Sequence, residues 1–222
     1  MDSVEFLVTT PLFQGIGADE ARGMLGCLGA REKVYEAGEY VLHMGETTRS
    51  LGVVIDGCVR AENVDVWGNV SIVGIFSRGD IFADMYAVIP DEPLMVNVVA
   101  AEPTRVMFLE AAKVVTTCPR ACGHHNQVAL NLNLISARKN LALTRRIFHA
   151  APKSIRGKVL SYLSFTAAQI GSREFDIPFN RQQLADYLGV DRSALSAELS
   201  RMQKEGIIAT RRSHFVLHDA LD

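Results

Sequence analysis

Between Asn180 and Ile208 the chain reads NRQQLADYLGVDRSALSAELSRMQKEGII, and helical spacing sorts these residues by what each can do. Leu184, Ala185 and Leu188 share one helical face, as do Leu195, Leu199 and Met202, so a core claims both sets. The second helix then has Arg192, Ser193, Ser196, Ala197 and Arg201 left over. Arginine bonds bidentately to guanine, and serine bonds several base edges. Asn180 is a good N-cap, and Arg181 and Gln182 follow it, placed to hold phosphates. Asp191 caps the second helix, and Gly189 ends the first in a left-handed conformation. Two short helices joined by such a turn predict a helix-turn-helix, whose second helix enters the major groove of DNA. Farther on, Gly206 to Arg212 and His214 to Leu217 read as a β-hairpin wing that offers Arg211 and Arg212 to phosphates. An ordinary αα-hairpin with solvated charges would explain the helices but neither the wing nor the local basic shift.

A second cluster, Cys118-x-x-x-Cys122-x-His124-His125, sets two thiols one helical turn apart beside imidazole, as zinc or redox ligands would be. No fourth ligand is evident and Pro119 can open a helix here, so the thiols read as partly buried surface residues and no metal is expected. His43, His124 and Cys58 have no haem spacing. Four cysteines in 222 residues do not make a secreted disulfide framework. With no nucleophile elbow, phosphate loop or zinc-protease motif, the chain is not expected to be an enzyme.

These residues need elements to position them. From about Ala30 to Glu110 the texture is β, with short apolar pieces at 8–12-residue intervals and turn signals between them, which predicts a barrel or sandwich. Leu51, Val53 and Ile55 alternate as in a half-buried strand, and Asp56-Gly57 predicts a hairpin. Trp67-Gly68-Asn69 predicts another turn, and Val96–Ala101 with Thr104–Leu109 a last strand pair. Leu130, Leu134, Ala137, Leu141, Thr144 and Phe148 then fall at alternating steps of four and three, a heptad-like seam suited to dimerisation. Leu132, Ile135, Leu143 and Ile147 form a second stripe that a barrel could cover. Proline in Ala150-Ala151-Pro152-Lys153-Ser154 breaks this helix and marks a boundary.

Net charge is −2, which taken alone argues against a nucleic-acid partner, but the charge is unevenly placed. Residues 1–147 hold 13 basic against 17 acidic side chains, and residues 148–222 hold 10 against 8. An anionic partner would meet the C-terminal part. No apolar run spans a membrane and the N-terminus lacks a signal-peptide pattern, so the expected location is cytoplasmic.

Over nearly its full length the chain resembles the Crp/Fnr family of bacterial transcription regulators. The barrel half carries Tyr35-x-x-Gly38-Glu39, Gly45-Glu46, Val53-Val54-Ile55-Asp56-Gly57 and Gly79-Asp80-Ile81-Phe82. The resemblance implies an α+β chain: a cyclic-nucleotide-binding-like jelly-roll barrel, a long dimerisation helix and a C-terminal winged helix-turn-helix. It implies a homodimer on a two-fold-symmetric double-stranded DNA site, with RNA polymerase as a partner if the protein activates. It places phosphate contacts on Asn180, Arg181 and Gln182 and base reading on Arg192, Ser193 and Ala197; relatives often carry arginine at the last, so the usual half-site is not implied.

Cyclic-AMP-binding members carry Gly-Glu-Leu-Gly after the Gly-Asp and an Arg-Ser or Arg-Thr pair beyond it. Here those segments read Ala83-Asp84-Met85-Tyr86 and Met95-Val96, and methionine cannot neutralise a buried phosphate. Cyclic AMP is therefore not expected. Neither is an iron–sulfur cluster, since only Cys27 precedes the barrel. The expected effector is an unidentified small molecule near Phe82, Asp84, Tyr86, Met95 and Asn97, residues that line a pocket or simply pack a core. The domain expectation is a sensing barrel at 1–125, a dimer helix at 126–149 and a DNA-binding domain at 150–222. The competing reading is a ligand-binding or cysteine-based redox or metal sensor whose helix-turn-helix is only structural.

Overall fold

The computed structural model describes residues 2–65, 67–116 and 123–218. It divides into two compact units, Met1–Ser136 and Ala137–Asp222.

The first unit opens with helices α1 (Ser3–Leu7) and α2 (Ala18–Leu25), then, among the described residues, builds eight strands. These are β1 (Arg31–Tyr35), β2 (Tyr40–Leu42), β3 (Ser50–Asp56), β4 (Cys58–Val64), β5 (Val70–Ser77), β6 (Ile81–Phe82), β7 (Asn97–Ala100) and β8 (Thr104–Glu110). Short α3 (Asp84–Val88) lies between β6 and β7, and α4 (Ala111–Val115) follows β8. The strands make two antiparallel four-stranded sheets, ordered β1-β8-β3-β6 and β2-β7-β4-β5. Between the sheets lie Tyr35, Val54, Val59, Phe82, Val98 and Val106, drawn from both. The outer face of the first sheet, through Leu51, Val53, Ile55, Met107 and Leu109, packs on the N-terminal helices and on Val128 and Leu132.

Three expectations about the strands need correction. β3 is buried on both faces, because Val54 points between the sheets while Leu51, Val53 and Ile55 point at the helices. Asp56-Gly57 does not close a hairpin, nor does Glu102-Pro103: β3 and β8 belong to one sheet, β4 and β7 to the other. The two connections are adjacent corners where the chain crosses between sheets. Gly57 sits at φ 79°, and a Cβ there would come within 2.5 Å of the Pro103 carbonyl oxygen. A hairpin and a sheet-crossing corner ask the same turn residues of the chain, so local chemistry does not separate them. The turn around Trp67-Gly68-Asn69 does join paired strands, β4 and β5.

Helix α5 (Gly123–Ala150) begins in the first unit and ends in the second. Cys118, Pro119 and Cys122 lie outside the described residues. The second unit continues with α6 (Ile155–Ile170), β9 (Glu174–Asp176), α7 (Arg181–Leu188), α8 (Arg192–Lys204), β10 (Ile208–Arg211) and β11 (His214–Leu217). A three-stranded sheet, β10-β11-β9, backs the helices. Val159, Leu163, Leu184, Leu188, Leu195, Leu199, Met202 and Phe215 form their shared core. This is the winged helix-turn-helix expected from the sequence. No described helix is long and apolar enough to cross a membrane.

Candidate nucleic-acid interface

The two helices of the motif begin and end as their residues dictate. Asn180 Oδ1 accepts the Gln183 amide at 2.9 Å, while Gln183 Oε1 accepts the Asn180 amide at 2.8 Å, a reciprocal cap that fixes the α7 start. Gly189 ends α7 at φ 62°. Asp191 accepts the Ala194 amide at 2.8 Å and the Ser193 hydroxyl, and these bonds hold its carboxyl below the usual range. Ala185 and Leu195 are fully buried where the helices meet.

The C-terminal part of α5 holds the end of α7. Arg146 donates to the carbonyls of Tyr187 (3.1 Å) and Asp186 (2.8 Å), and Lys158 on α6 to that of Leu188 (3.1 Å). These cations satisfy the end of α7, where helix carbonyls have no partner of their own. Nearby, the buried His149 ring has Nδ1 2.9 Å from the Tyr187 hydroxyl and packs on Tyr162 and Phe165. Burial, then Arg145, lowers the His149 pKa.

The predicted residues lie along α7, α8 and the wing. Arg192, Ser193, Ala197 and Arg201 are exposed and Ser196 is half-buried. Ser193 is engaged with Asp191, Ser196 donates to the Arg192 carbonyl, and Arg201 pairs with Glu198 at 3.2 Å. Gln182 donates to Asp186 at 2.8 Å. Arg181 lies half-buried over the Phe215 ring, 5.8 Å from its centroid, and burial lowers its pKa. A groove of about 510 Å³ brings Arg181 together with Ser196, Leu199, Ser200, Gln203, Lys204 and Thr210. Another, lined in part by Asn180, Arg181 and Arg212, runs from the α7 start to the wing. Arg211 and Arg212 are exposed at the wing tip, Arg212 at φ 58°, a left-handed backbone that glycine usually takes.

Ser200, Gln203 and Lys204 join the predicted residues in this groove. Ser200 and Gln203 lie four and seven residues beyond Ser196, so helical spacing alone would have placed them on its face. Glu198, a carboxylate on the apolar side of α8, is buried as well.

In the barrel the five proposed pocket residues fare differently. Phe82 is core, 1% exposed, with its ring among Phe76 and Phe108. Asp84 is buried and hydrogen-bonded or otherwise engaged, whereas Met95 is 72% exposed. Tyr86 is half-buried, and Asn97, also half-buried, accepts the Met44 amide at 2.9 Å. Ala83 stands at φ 55°, so the left-handed backbone is present where cyclic-AMP binders carry glycine. Of the cysteine–histidine cluster, His124 lies 3.5 Å from Glu20 and His125 is buried. Among the described residues, no group of three or more His, Cys, Asp or Glu is arranged to hold a metal.

On α5, the seam residues Leu130, Leu134, Ala137, Leu141 and Phe148 are exposed, Phe148 at 69%, and Thr144 is half-buried. Of the second stripe, Leu132 and Ile135 pack on the barrel core, while Leu143 and Ile147 are exposed.

Comparison with known proteins bears on both units. Residues 32–120 match the cyclic nucleotide-binding domain family, and residues 157–220 match the Crp-like helix-turn-helix domain family. A "Probable transcriptional regulator flp" of Lacticaseibacillus casei is 27% identical over 205 residues, covering 89% of this chain and 87% of that protein. "Transcriptional activator protein FnrL" of Cereibacter sphaeroides is 25% identical over 198 residues, covering 83% and 75%. The catabolite activator protein of Thermus thermophilus has a similar fold, with a TM-score of 0.52 at 21% identity over 95% of each chain. Both halves of the molecule thus lead to one answer: the chain belongs to the Crp/Fnr family of DNA-binding transcription regulators.

Proposed function

We propose that the protein works as a cytoplasmic homodimer that binds a two-fold-symmetric DNA site and alters transcription when residues 1–125 sense an effector. The observation that carries this reading is the groove in which Arg181, Ser196, Ser200, Gln203, Lys204 and Thr210 converge from α7, α8 and β10. Arg192, Ser193, Ser196 and Ala197 read base edges on this reading. Asn180, Arg181, Gln182, Arg211 and Arg212 hold the phosphates on either side. Residues 126–149 supply the dimer helix, and the exposed Leu130, Leu134, Leu141 and Phe148 support that role, since water-facing apolar side chains at heptad spacing gain by meeting a second copy. Residues 150–222 form the DNA-binding domain.

The effector is a small molecule or a redox signal. Cyclic AMP fits poorly, because Met95 is exposed and uncharged where binders of that nucleotide carry arginine. RNA polymerase is a further partner if the protein activates. The test is a mobility-shift series with native upstream fragments over a range of salt. Retardation whose log K falls with log salt is expected, with protected half-sites spaced about 10 bp centre to centre. No retardation of any fragment, or a slope near zero, would show that the helix-turn-helix is only structural. Small molecules retained by the purified protein, identified by mass spectrometry, would name the effector.

A further inference from the structure

Glu198 is out of place by any apolar pattern. It sits on the inner side of α8 among Leu195, Leu199 and Met202, with its side chain 10% exposed. Arg156, in the first turn of α6, reaches it: Nε donates to Glu198 Oε1 at 2.7 Å. The same guanidinium donates through Nη1 and Nη2 to both carboxylate oxygens of Glu205, at 2.7 and 2.9 Å. Glu205 is the residue that ends α8, seven positions and about two turns beyond Glu198. Arg201 takes the remaining Glu198 oxygen at 3.2 Å. These bonds push the Arg156 pKa above the ordinary arginine value and draw that of Glu205 down, so this pair stays charged at neutral pH.

We infer that Arg156 is a positioning residue for DNA recognition: its guanidinium clamps α8 at two points and sets how the base-reading face meets the groove. The physical reason lies in what a leucine at position 198 would do instead. Apolar contacts hold helices together as well as a buried ion pair does, or better, but they tolerate sliding and rotation. A planar guanidinium with donors fixed in direction does not. Reading bases demands side chains placed to about half an ångström, a tolerance that packing alone leaves to chance. Because Glu198 and Glu205 stand about two turns apart, one arginine fixes both the roll and the tilt of α8 against α6.

The inference rests on α8 being the base-reading helix, and its test separates the two. The full chain is presented with a duplex that the wild type has selected from a random pool, and with a scrambled duplex of equal length. Wild type should prefer the selected duplex. Arg156→Ala should lose that preference by about tenfold or more, yet keep its affinity and salt slope on the scrambled duplex. Arg156→Lys, which keeps the charge but cannot serve both carboxylates, should fall between. Should Arg156→Ala fail to fold, the double variant Arg156→Leu/Glu198→Leu restores packing without the clamp, and it should be folded and undiscriminating. Full discrimination by either folded variant overturns the clamp, as does a loss shared equally by both duplexes. A wild type that enriches no duplex from the random pool overturns the base-reading role of α8 itself.

Discussion

Arg192 stands exposed in the first turn of α8, the part of a recognition helix that reaches base edges. Arg192→Ala should cost about 1–3 kcal/mol of discrimination at one base pair, read as the affinity difference between matched and single-mismatch duplexes. Arg212 is of another kind, because its cation is carried on a left-handed backbone at the wing tip. Arg212→Gly suits that backbone, so it removes the cation without adding backbone strain. It should weaken all duplexes alike and lower the salt slope by about one; an unchanged slope would count against a phosphate contact. His149 belongs to stability. Its buried ring favours the neutral form, so its folded pKa lies below the ordinary 6.5. Below pH 6.5 the unfolded chain takes up a proton that the folded unit resists, and stability held above that pH is lost as acidity rises. His149→Phe keeps the aromatic packing without the titration. Its thermal midpoint should therefore change less than that of wild type between about pH 7 and about pH 5.

At the scale of elements, caps and corners govern. The reciprocal Asn180–Gln183 cap sets where α7 starts, and with it the place of Arg181. Asn180→Ala should cost about 0.5–2 kcal/mol by denaturant unfolding. In the barrel, Gly52 lets the Phe82 ring lie against β3, since a Cβ there would come within 2.2 Å of Phe82 Cζ. Gly52→Ala should destabilise the protein by about 1–3 kcal/mol through overpacking, and a further Phe82→Leu should recover part of the loss. If Gly52→Ala proves neutral in the same unfolding assay, Phe82 has room to move and is not the fixed plug between the sheets. The elements of the DNA-binding unit could be read from the chain because their signals are local: Asn180 and Asp191 start helices, Gly189 ends one, and Leu184 to Met202 face one core. The strand partners of the barrel could not, since Asp56-Gly57 looks the same whether the chain turns back or crosses to another sheet.

For the molecule as a whole, the exposed stripe on α5 is the feature that bears most on assembly. Leu134→Glu with Leu141→Glu buries no new charge in a monomer, but it would place carboxylates in the proposed seam. The pair should shift sedimentation from dimer to monomer at micromolar concentration and abolish binding to a two-half-site duplex. A wild type already monomeric there would contradict the seam. The slight excess of acidic residues belongs to residues 1–147, while the arginines of the proposed interface are few and lie on α7, α8 and the wing. By itself the sequence determined the succession of barrel, long helix and helix-turn-helix, and the caps, turn, apolar face and polar face of the last, but not helices α1 to α4. Each of these depends on contacts between residues a few positions apart, whose spacing is visible along the chain. Only the tertiary structure decided which strands pair, that Phe82 fills the barrel interior, that Ser200, Gln203 and Lys204 share a groove with Arg181, and that Arg156 reaches Glu198. Those facts join residues tens of positions apart, and chain entropy leaves such pairings open until packing closes them.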